Sequence, residues 1–518
     1  MSAAVTFEGS GTAIEARSRD RTSSWVVPHP AVLALITLAG AWIVTFAVLV
    51  VRRHHGFYDL AFDMGIHDQS VWLLAHGRDF MTVRGLPVFG HHASPAYFLL
   101  VPAYWLGVGP DFLNLVQVGS LGAAVIPLSL LARDRMLSAW VAAGLAGAFL
   151  LHPGVQFYAW ELFHPEVVAI TPLLCAYLCA TRQSWRWFAC WAVLAVSWKE
   201  DVALVVLVLG LVIALRGSRR VGLTTAGLAL GWFLLWTIVL FPAINGGAVQ
   251  SEGIYSGVGG SPSGMIDTLF SDPGAITSHL FSSESGDFAY RLLLPFGFVP
   301  LLAPLALLMG LPQFLLDVLT DVPWTRVLQH HYGALCVAAL ALASVEGVAF
   351  AARRLGRHAA VGACCLVLAG GVFGTLAWGP SPLSSAYRAG WWPPADQPRL
   401  GSLEAAVDLV PDDATVTATY GILPHLSRRT EIYDFPNPWE SRNFGIDGEP
   451  TRNPRRVEWL VVDRSVVRMD PAADALLETI LDDFRVVFER DDVLVAVRRG
   501  RQASPVGPLP KPNPQHGG

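Results

Sequence analysis

The stretch AVLALITLAGAWIVTFAVLVV, residues 31–51, carries no charged side chain. As an α-helix it is about 30 Å long, the thickness of a bilayer's hydrocarbon core. It runs into RRHH, residues 52–55, and the chain then turns polar. YDLAFDMGIHDQSVWLLAHG, residues 58–77, holds three aspartates and two histidines. A chain that leaves a bilayer directly into so many titratable groups points to chemistry at the exit.

The apolar pattern repeats. Of 518 residues, 53% are hydrophobic and 15% charged, against about 25% charged in soluble domains. Further apolar runs fall at 112–132, 137–153, 166–181, 186–198, 201–215, 221–243, 291–309, 311–320, 333–352 and 359–378, which with 31–51 makes eleven. In lipid a helix satisfies its own backbone, so the expected fold is mainly α, a polytopic transmembrane helical bundle. The first run is too long for a signal-peptide core and reads as an uncleaved span. The formal charge of −5, with no basic stretch interleaved by aromatics, argues against a nucleic-acid partner. No GxxxxGK[ST] motif occurs, which argues against an ATP-driven pump. All six cysteines lie in apolar segments, so neither a disulfide framework nor a CxxC metal site is expected.

Four short basic loops orient the bundle: RDR at 133–135, RQSWR at 182–186, RGSRR at 216–220 and RRLGRH at 353–358. The positive-inside rule makes them cytoplasmic. The spans between them number two, two and four, so the parity agrees. Arg17, Arg19 and Arg21 put the N-terminus on the same side. The apolar segment 96–108, short and broken by Pro102, must then not cross, or must re-enter, as an interfacial or re-entrant segment does. The first external loop is 52–111, and acids, histidines and aromatics recur in the external loops 152–166, 198–201 and 321–332.

The expected organisation is a cytoplasmic disordered tail at 1–30, a transmembrane domain at 31–380, an extracytoplasmic α/β domain at 390–500 and a disordered tail at 501–518. In the α/β domain LEAAVDLV reads as helix, and ATVTATY, TEIYDF and VEWLVVD read as strands. A helix begins after Asp470, and RVVFERDDVLVAVRR reads as a hairpin turning at Asp491–Asp492.

Four constellations carry candidate chemistry. In the first loop a helix is expected from Met64, capped by Asp63 at its start and by Gly77 at its end. Asp63 or Asp68 could act as a general base. Asp59, Asp63 and His67, four apart, share one helix face, with Asp68 elsewhere. In WELFHPE, Glu161, His164 and Glu166 are residue types that bind Zn²⁺ or Mn²⁺; the plain alternative is an interfacial loop with a helix start at Pro165. In WKED, Lys199, beside Asp201, could hold a phosphate as a point charge, or its charge could simply snorkel to water. In HHY, His330 and His331, near Arg326, could contact phosphate or belong to an interfacial belt with Tyr332. His92 presents the same two readings.

Taken together, FDMGIHDQSVWLLAHGRDF, HHASPAYFLLVPAYWL, LFHPEVVAITPLL, KEDVALVVLVLGL, LPFGFVPLLAP, QHHYGA and PHLSRRTEIYDFP resemble the bacterial domain-of-unknown-function family 2079 over about residues 55–435. His67 departs from that family's usual FDLGIFDQ pattern, where an aromatic stands. The family in turn resembles the GT-C glycosyltransferases. The resemblance implies an inverting transfer on the outer face of a bacterial plasma membrane. The donor would be a sugar on a polyprenyl phosphate, and the acceptor a glycan, lipid or protein of the envelope. Asp63 matches the essential first-loop acid best and Asp68 next, while Glu161 and Glu166 match a second acidic loop. Lys199, Arg291, Arg326 and one of His330 and His331 would offset the leaving phosphate. Trp72, Tyr158 and Trp160 could stack on sugar, and the C-terminal domain could guide the acceptor. No cofactor is required; if a divalent cation (Mg²⁺ or Mn²⁺) is used, Asp63, Glu161, His164 and Glu166 are its candidate ligands. The rival reading is a transporter or flippase of a lipid-linked or polar solute. It would need a site near the midplane, and no inverted repeat is visible.

Overall fold

The computed structural model describes residues 29–247, 252–384, 397–442 and 452–500. The expected tail 501–518, and 1–30 except its last two residues, lie outside these.

Among the described residues, five helices are long and apolar enough to cross a membrane: Pro30–His55, Pro110–Asp134, Arg219–Ile244, His331–Leu355 and Arg357–Trp378. A sixth run is bent: Ala139–Leu151 and Pro153–Trp160 meet at 55°. Pro153 brings no N–H to the break, and the His152 ring accepts from Gly154 N instead. Shorter apolar helices, Pro165–Thr181, Trp185–Val196, Val202–Leu215 and Pro304–Val318, pack among these. His331–Leu355 is the central helix, 94% buried over its most apolar window, whereas Arg219–Ile244 is 17% buried and presents Leu228, Ile238 and Val239 outward. That contrast is expected of a lipid-facing rim around a helix rich in alanine, whose small side chains let neighbours approach.

Most expected runs are helices, but among the described residues five, or six with the bent pair, are long and apolar enough to cross, against the eleven expected. Residues 291–309 and 311–320 do not form two separate spans. Ser283–Leu293 gives way to short turns at Leu294–Phe296 and Val299–Leu302 before the chain resumes as helix from Pro304. Pro295, Pro300 and Pro304 remove three backbone donors, and Gly297 sits at φ 60° against the Arg357–Trp378 helix, leaving no room for a side chain. Segment 96–108 consists of two short turns, Pro95–Leu99 and Val101–Tyr104, neither long enough to cross.

The C-terminal domain is a five-stranded mixed sheet. A small pair, β1 (Phe80–Met81) and β2 (Leu86–Pro87), precedes it in the first loop. The sheet strands are β3 (Val416–Ala418), β4 (Ile432–Asp434), β5 (Trp459–Asp463), β6 (Phe484–Arg490) and β7 (Val493–Arg498), in the order β4-β3-β5-β7-β6. β3 runs parallel to β4 and β5, and β7 antiparallel to β5 and β6. Asp470 accepts from Ala472 N and Ala473 N to start the Pro471–Leu481 helix. Asp491 and Asp492, at φ 51° and 63°, make the hairpin turn.

One sheet face is covered by Pro471–Leu481, through Leu477 and Ile480. The other face packs on Leu403 and Ala406, and also on Ala61, Ile66, Leu73, Met81 and Val83 of the first loop. The loop and the C-terminal sheet therefore share one core. Thr82 Oγ1 donates to Ile432 O at 2.7 Å and accepts from Ile432 N at 2.8 Å. His425 stacks on Phe57 and His54. This docking fixes how the first-loop helix lies.

Candidate functional site

The first-loop helix starts earlier than the spacing predicts. Residues Ala61–Gly65 form a wide turn closed by a bond from Gly65 N to Leu60 O, five residues back, and Ile66–Ala75 continues as α-helix. Asp63 lies inside that turn and caps nothing, which frees its carboxylate for other partners. Gly77, at φ 68°, ends the helix as expected, with Arg78 N bonded to Leu73 O.

This geometry separates the two candidate bases. Asp68 is wholly buried at the joint with the C-terminal domain. Its Oδ1 accepts from Tyr104 at 2.6 Å and its Oδ2 from Ser427 at 2.6 Å. Burial raises its pKa, and those two bonds partly oppose the rise. Asp63 faces the bundle instead, its Oδ1 3.5 Å from His164 Nε2, and its side chain is 26% exposed. Asp59 turns back on the first span, taking His54 Nδ1 at 2.7 Å. His67 lies behind His164, with Nδ1 2.5 Å from the Tyr97 hydroxyl, and burial holds its pKa well below the usual value.

Glu161 and His164 flank a buried, non-helical link between Pro153–Trp160 and Pro165–Thr181. Such a link needs partners for its backbone. Gln117, on the helix Pro110–Ala123, supplies them. Its Nε2 donates to Tyr158 O, Glu161 O and Leu162 O at 2.6–3.2 Å, and its Oε1 accepts from His164 N at 2.6 Å. Sequence reasoning missed Gln117, although an amide in an apolar span, three residues after Asn114, was a signal.

Around the link the site closes. His164 Nδ1 donates to Leu162 O at 2.7 Å, and its ring stacks on His331 at 3.5 Å between centroids. Glu161 Oε1 takes His330 Nδ1 at 3.0 Å, and His331 stands between Glu161 Oε2 at 3.7 Å and Glu166 Oε1 at 3.6 Å. Lys199 Nζ donates to Glu166 at 2.6 Å and lies 3.3 Å from Asp201. Burial opposes charge on His164, yet Asp63, with Glu161 and Glu166, raises its pKa to about 9. Burial likewise opposes charge on Glu161, but His330 and His331 hold its carboxyl far below the usual range. Burial disfavours the Lys199 ammonium too; the charges of Asp201, Glu166 and Glu200 outweigh it.

The site is thus a continuous path: Asp63, His164, His331, Glu166, Lys199. It gathers the ends of Pro153–Trp160 and Trp185–Val196 with the starts of Pro165–Thr181 and His331–Leu355. The four basic loops follow the opposite ends of the helices. Three expected members stand elsewhere. Arg291 pairs with Asp287 at 2.6 Å and lies over Trp378. Arg326 donates to Val318 O and Thr320 O, closing a helix end. His92 pairs with Glu200 at 2.9 Å, one step beyond Lys199.

Glu161, His164 and His331 offer ligand atoms that all lie within 4.8 Å of one another. Glu161 Oε2 and His331 Nδ1 are buried without a hydrogen-bond partner, and the Leu162 bond turns His164 Nε2 toward Asp63 Oδ1, 3.5 Å away. These donors fit a divalent cation.

A model of the family described as "Predicted membrane protein (DUF2079)" matches residues 53–495. The chain belongs to this family. No curated protein matches it. Among solved structures, it is similar to ArnT from Cupriavidus metallidurans bound to undecaprenyl phosphate, with a TM-score of 0.54 at 14% identity, over 93% of this chain and 100% of that one. The apo state of the same ArnT gives a TM-score of 0.46 at 15% identity, over 88% and 98%. This DUF2079 chain thus belongs to a family of predicted membrane proteins and has an ArnT-like fold.

Proposed function

We propose that this DUF2079 protein is an inverting glycosyltransferase that takes a sugar from a polyprenyl-phosphate donor. It would act on the external face of a bacterial plasma membrane, with the N-terminus cytoplasmic and the C-terminal domain outside. The observation that carries the reading is the meeting of a partly open carboxylate, Asp63, with a buried cation, Lys199, through His164, His331 and Glu166 at one bundle end.

Asp63 is the base because it is the carboxylate an acceptor can reach; Glu161 and Glu166 side chains are 10% and 4% exposed. It takes the acceptor hydroxyl's proton as the oxygen attacks the anomeric carbon. The bond from that carbon to the phosphate oxygen breaks, and the lipid phosphate leaves with the electron pair. His164 orients Asp63. Lys199 and His330 offset the leaving charge, an electrostatic contribution aimed at the transition state. Arg291 and Arg326 have other partners and are left out of this role. Glu161 Oε2 and His331 Nδ1, buried without a hydrogen-bond partner, are donors that a further cation could take up. A Mg²⁺ or Mn²⁺ ion would be held by Glu161, His164 and His331, with Asp63 beside them, and would supply Lewis-acid stabilisation of phosphate charge. Glu166, committed to Lys199, is a weaker ligand than the sequence reading makes it.

The test is transfer of labelled sugar from polyprenyl-phosphate donors in membranes containing the full chain. Transfer should require the protein and be lost in Asp63→Asn and Glu161→Gln. Unchanged transfer in both variants would overturn the reading. Net movement of a lipid-linked sugar across proteoliposomes without transfer would favour a flippase.

A further inference from the structure

A second polar cluster lies at the other end of the bundle. Glu346 sits on the central helix fifteen residues after His331, about 22 Å along its axis. It is buried, and its carboxylate is fully engaged. Arg135 holds it through two bonds, Nε to Oε2 at 2.9 Å and Nη2 to Oε1 at 2.5 Å, and the Tyr177 hydroxyl donates to Oε1 at 2.8 Å. Arg216 Nη1 donates to the Tyr177 oxygen at 3.1 Å and stands 3.9 Å from Glu346. Two guanidinium groups therefore share one carboxylate. Arg182, the next cation, is already paired with Asp134 at 2.6 Å.

Arg135, Tyr177 and Arg216 line a cavity of about 190 Å³ between Pro165–Thr181 and Val202–Leu215, together with Thr181, Gln183, Trp185 and Ser218. Gln183 occupies a left-handed backbone position at φ 54°, where glycine is usual. The cavity is below the 300–1,000 Å³ range of pockets for drug-sized ligands, a size that suits a small head group. An unbalanced arginine, hydroxyl donors and an interfacial tryptophan are what a phosphate at the membrane surface needs. Basic pockets between spanning helices hold anionic lipid heads in this way.

We propose that this cavity binds the phosphate of an anionic phospholipid head group, held by Arg216 and Arg135, on the membrane face opposite the Asp63 site. The acyl chains would lie along the exposed apolar side of Trp185–Val196 and Val202–Leu215, where Trp187, Val193 and Leu211 face outward. The bound lipid ties together the ends of three helices whose other ends build the site, but binding does not depend on what that site does.

Full-length protein purified in detergent, titrated with phosphatidylglycerol, phosphatidylcholine or inorganic phosphate and read by native mass spectrometry, tests this. One phosphatidylglycerol should be retained per chain in preference to phosphatidylcholine. Arg216→Gln should weaken its retention at least about fivefold, the effect of one arginine near a membrane surface. Arg353→Gln, on the same side but outside the cavity, should not. Arg216 is the informative position because Arg135 also braces Glu346. Equal retention of both lipids, or equal retention by Arg216→Gln and the parent, would overturn the proposal. Inorganic phosphate that binds and is not displaced by phosphatidylglycerol would overturn the lipid as its source.

Discussion

Asp63 Oδ1 lies 3.5 Å from His164 Nε2, and the other nitrogen of that ring is committed to Leu162 O at 2.7 Å. The ring therefore cannot turn away, and Asp63 always faces the same atom. Asp68, five residues on, has neither freedom nor access, because Tyr104 and Ser427 occupy its two oxygens.

Replacing the two aspartates should thus produce different failures. Asp63→Asn should lower transfer about 10²- to 10⁴-fold, the usual contribution of a positioned base, with little change in thermal stability. Asp68→Asn should leave turnover per folded molecule near that of the parent. It should cost stability instead, about 1–3 kcal/mol, since a buried acceptor for two hydroxyls is weakened. Steady-state kinetics beside thermal unfolding in detergent separates the outcomes. Wild-type turnover in Asp63→Asn would remove Asp63 as base.

The metal reading predicts a thermal shift independent of any assay of transfer. Chelation should lower the melting temperature of the purified protein, and Mn²⁺ or Mg²⁺ should restore it. Glu161→Gln should abolish the restoration, because Glu161 contributes a donor that nothing else in the site replaces. Lys199→Met should keep the metal response while losing phosphate stabilisation. A melting temperature indifferent to chelator and to both ions would remove the cation from the site.

How far the sequence could be read follows from the range of the interactions. Local signals were legible: the Asp470 helix start, the Asp491–Asp492 turn and the break at Pro102 that keeps 96–108 from forming a long helix. Prolines at 295, 300 and 304 stand in plain view as well, yet the apolarity of 291–309 makes it read as a span. Asp63 was misread as a cap because its wide turn is set by docking: Gly65 packs under Leu423 of the C-terminal domain. Likewise the separation of Asp68 from Asp63 depends on Ser427, 359 residues away, which no local pattern reveals. The phosphate roles expected of Arg291 and Arg326 rested on charge and position alone, and their nearby partners Asp287 and Val318 O hold them elsewhere.

Gln117 carries a stability prediction. It serves three carbonyls and one N–H of the buried link. Gln117→Leu keeps the size but removes every partner. Each buried group left unmade costs about 1–3 kcal/mol, so a large drop in melting temperature is expected, with transfer lost as Glu161 and His164 move. Gln117→Glu should be intermediate, since it keeps the acceptor for His164 N. Parent-like melting of Gln117→Leu would show that the link does not rely on this side chain.

The last prediction concerns pH and the C-terminal domain. Arg399 grips Asp463 through two bonds, Nη1 to Oδ1 at 2.8 Å and Nη2 to Oδ2 at 2.7 Å, and Ser465 adds its hydroxyl and N–H. Burial alone would raise the Asp463 pKa, but these bonds prevail and lower it. A carboxyl depressed on folding stabilises above its unfolded pKa, about 3.9, and the stabilisation is lost as pH falls through the lower folded value. Melting temperature attributable to this pair should therefore be flat from pH 8 to about 5 and fall below about 4. Arg399 is partly exposed, so its replacement by Gln should cost only about 1 kcal/mol at neutral pH and should flatten the acid limb. An acid limb equally steep in Arg399→Gln would place the sensitivity in another carboxylate.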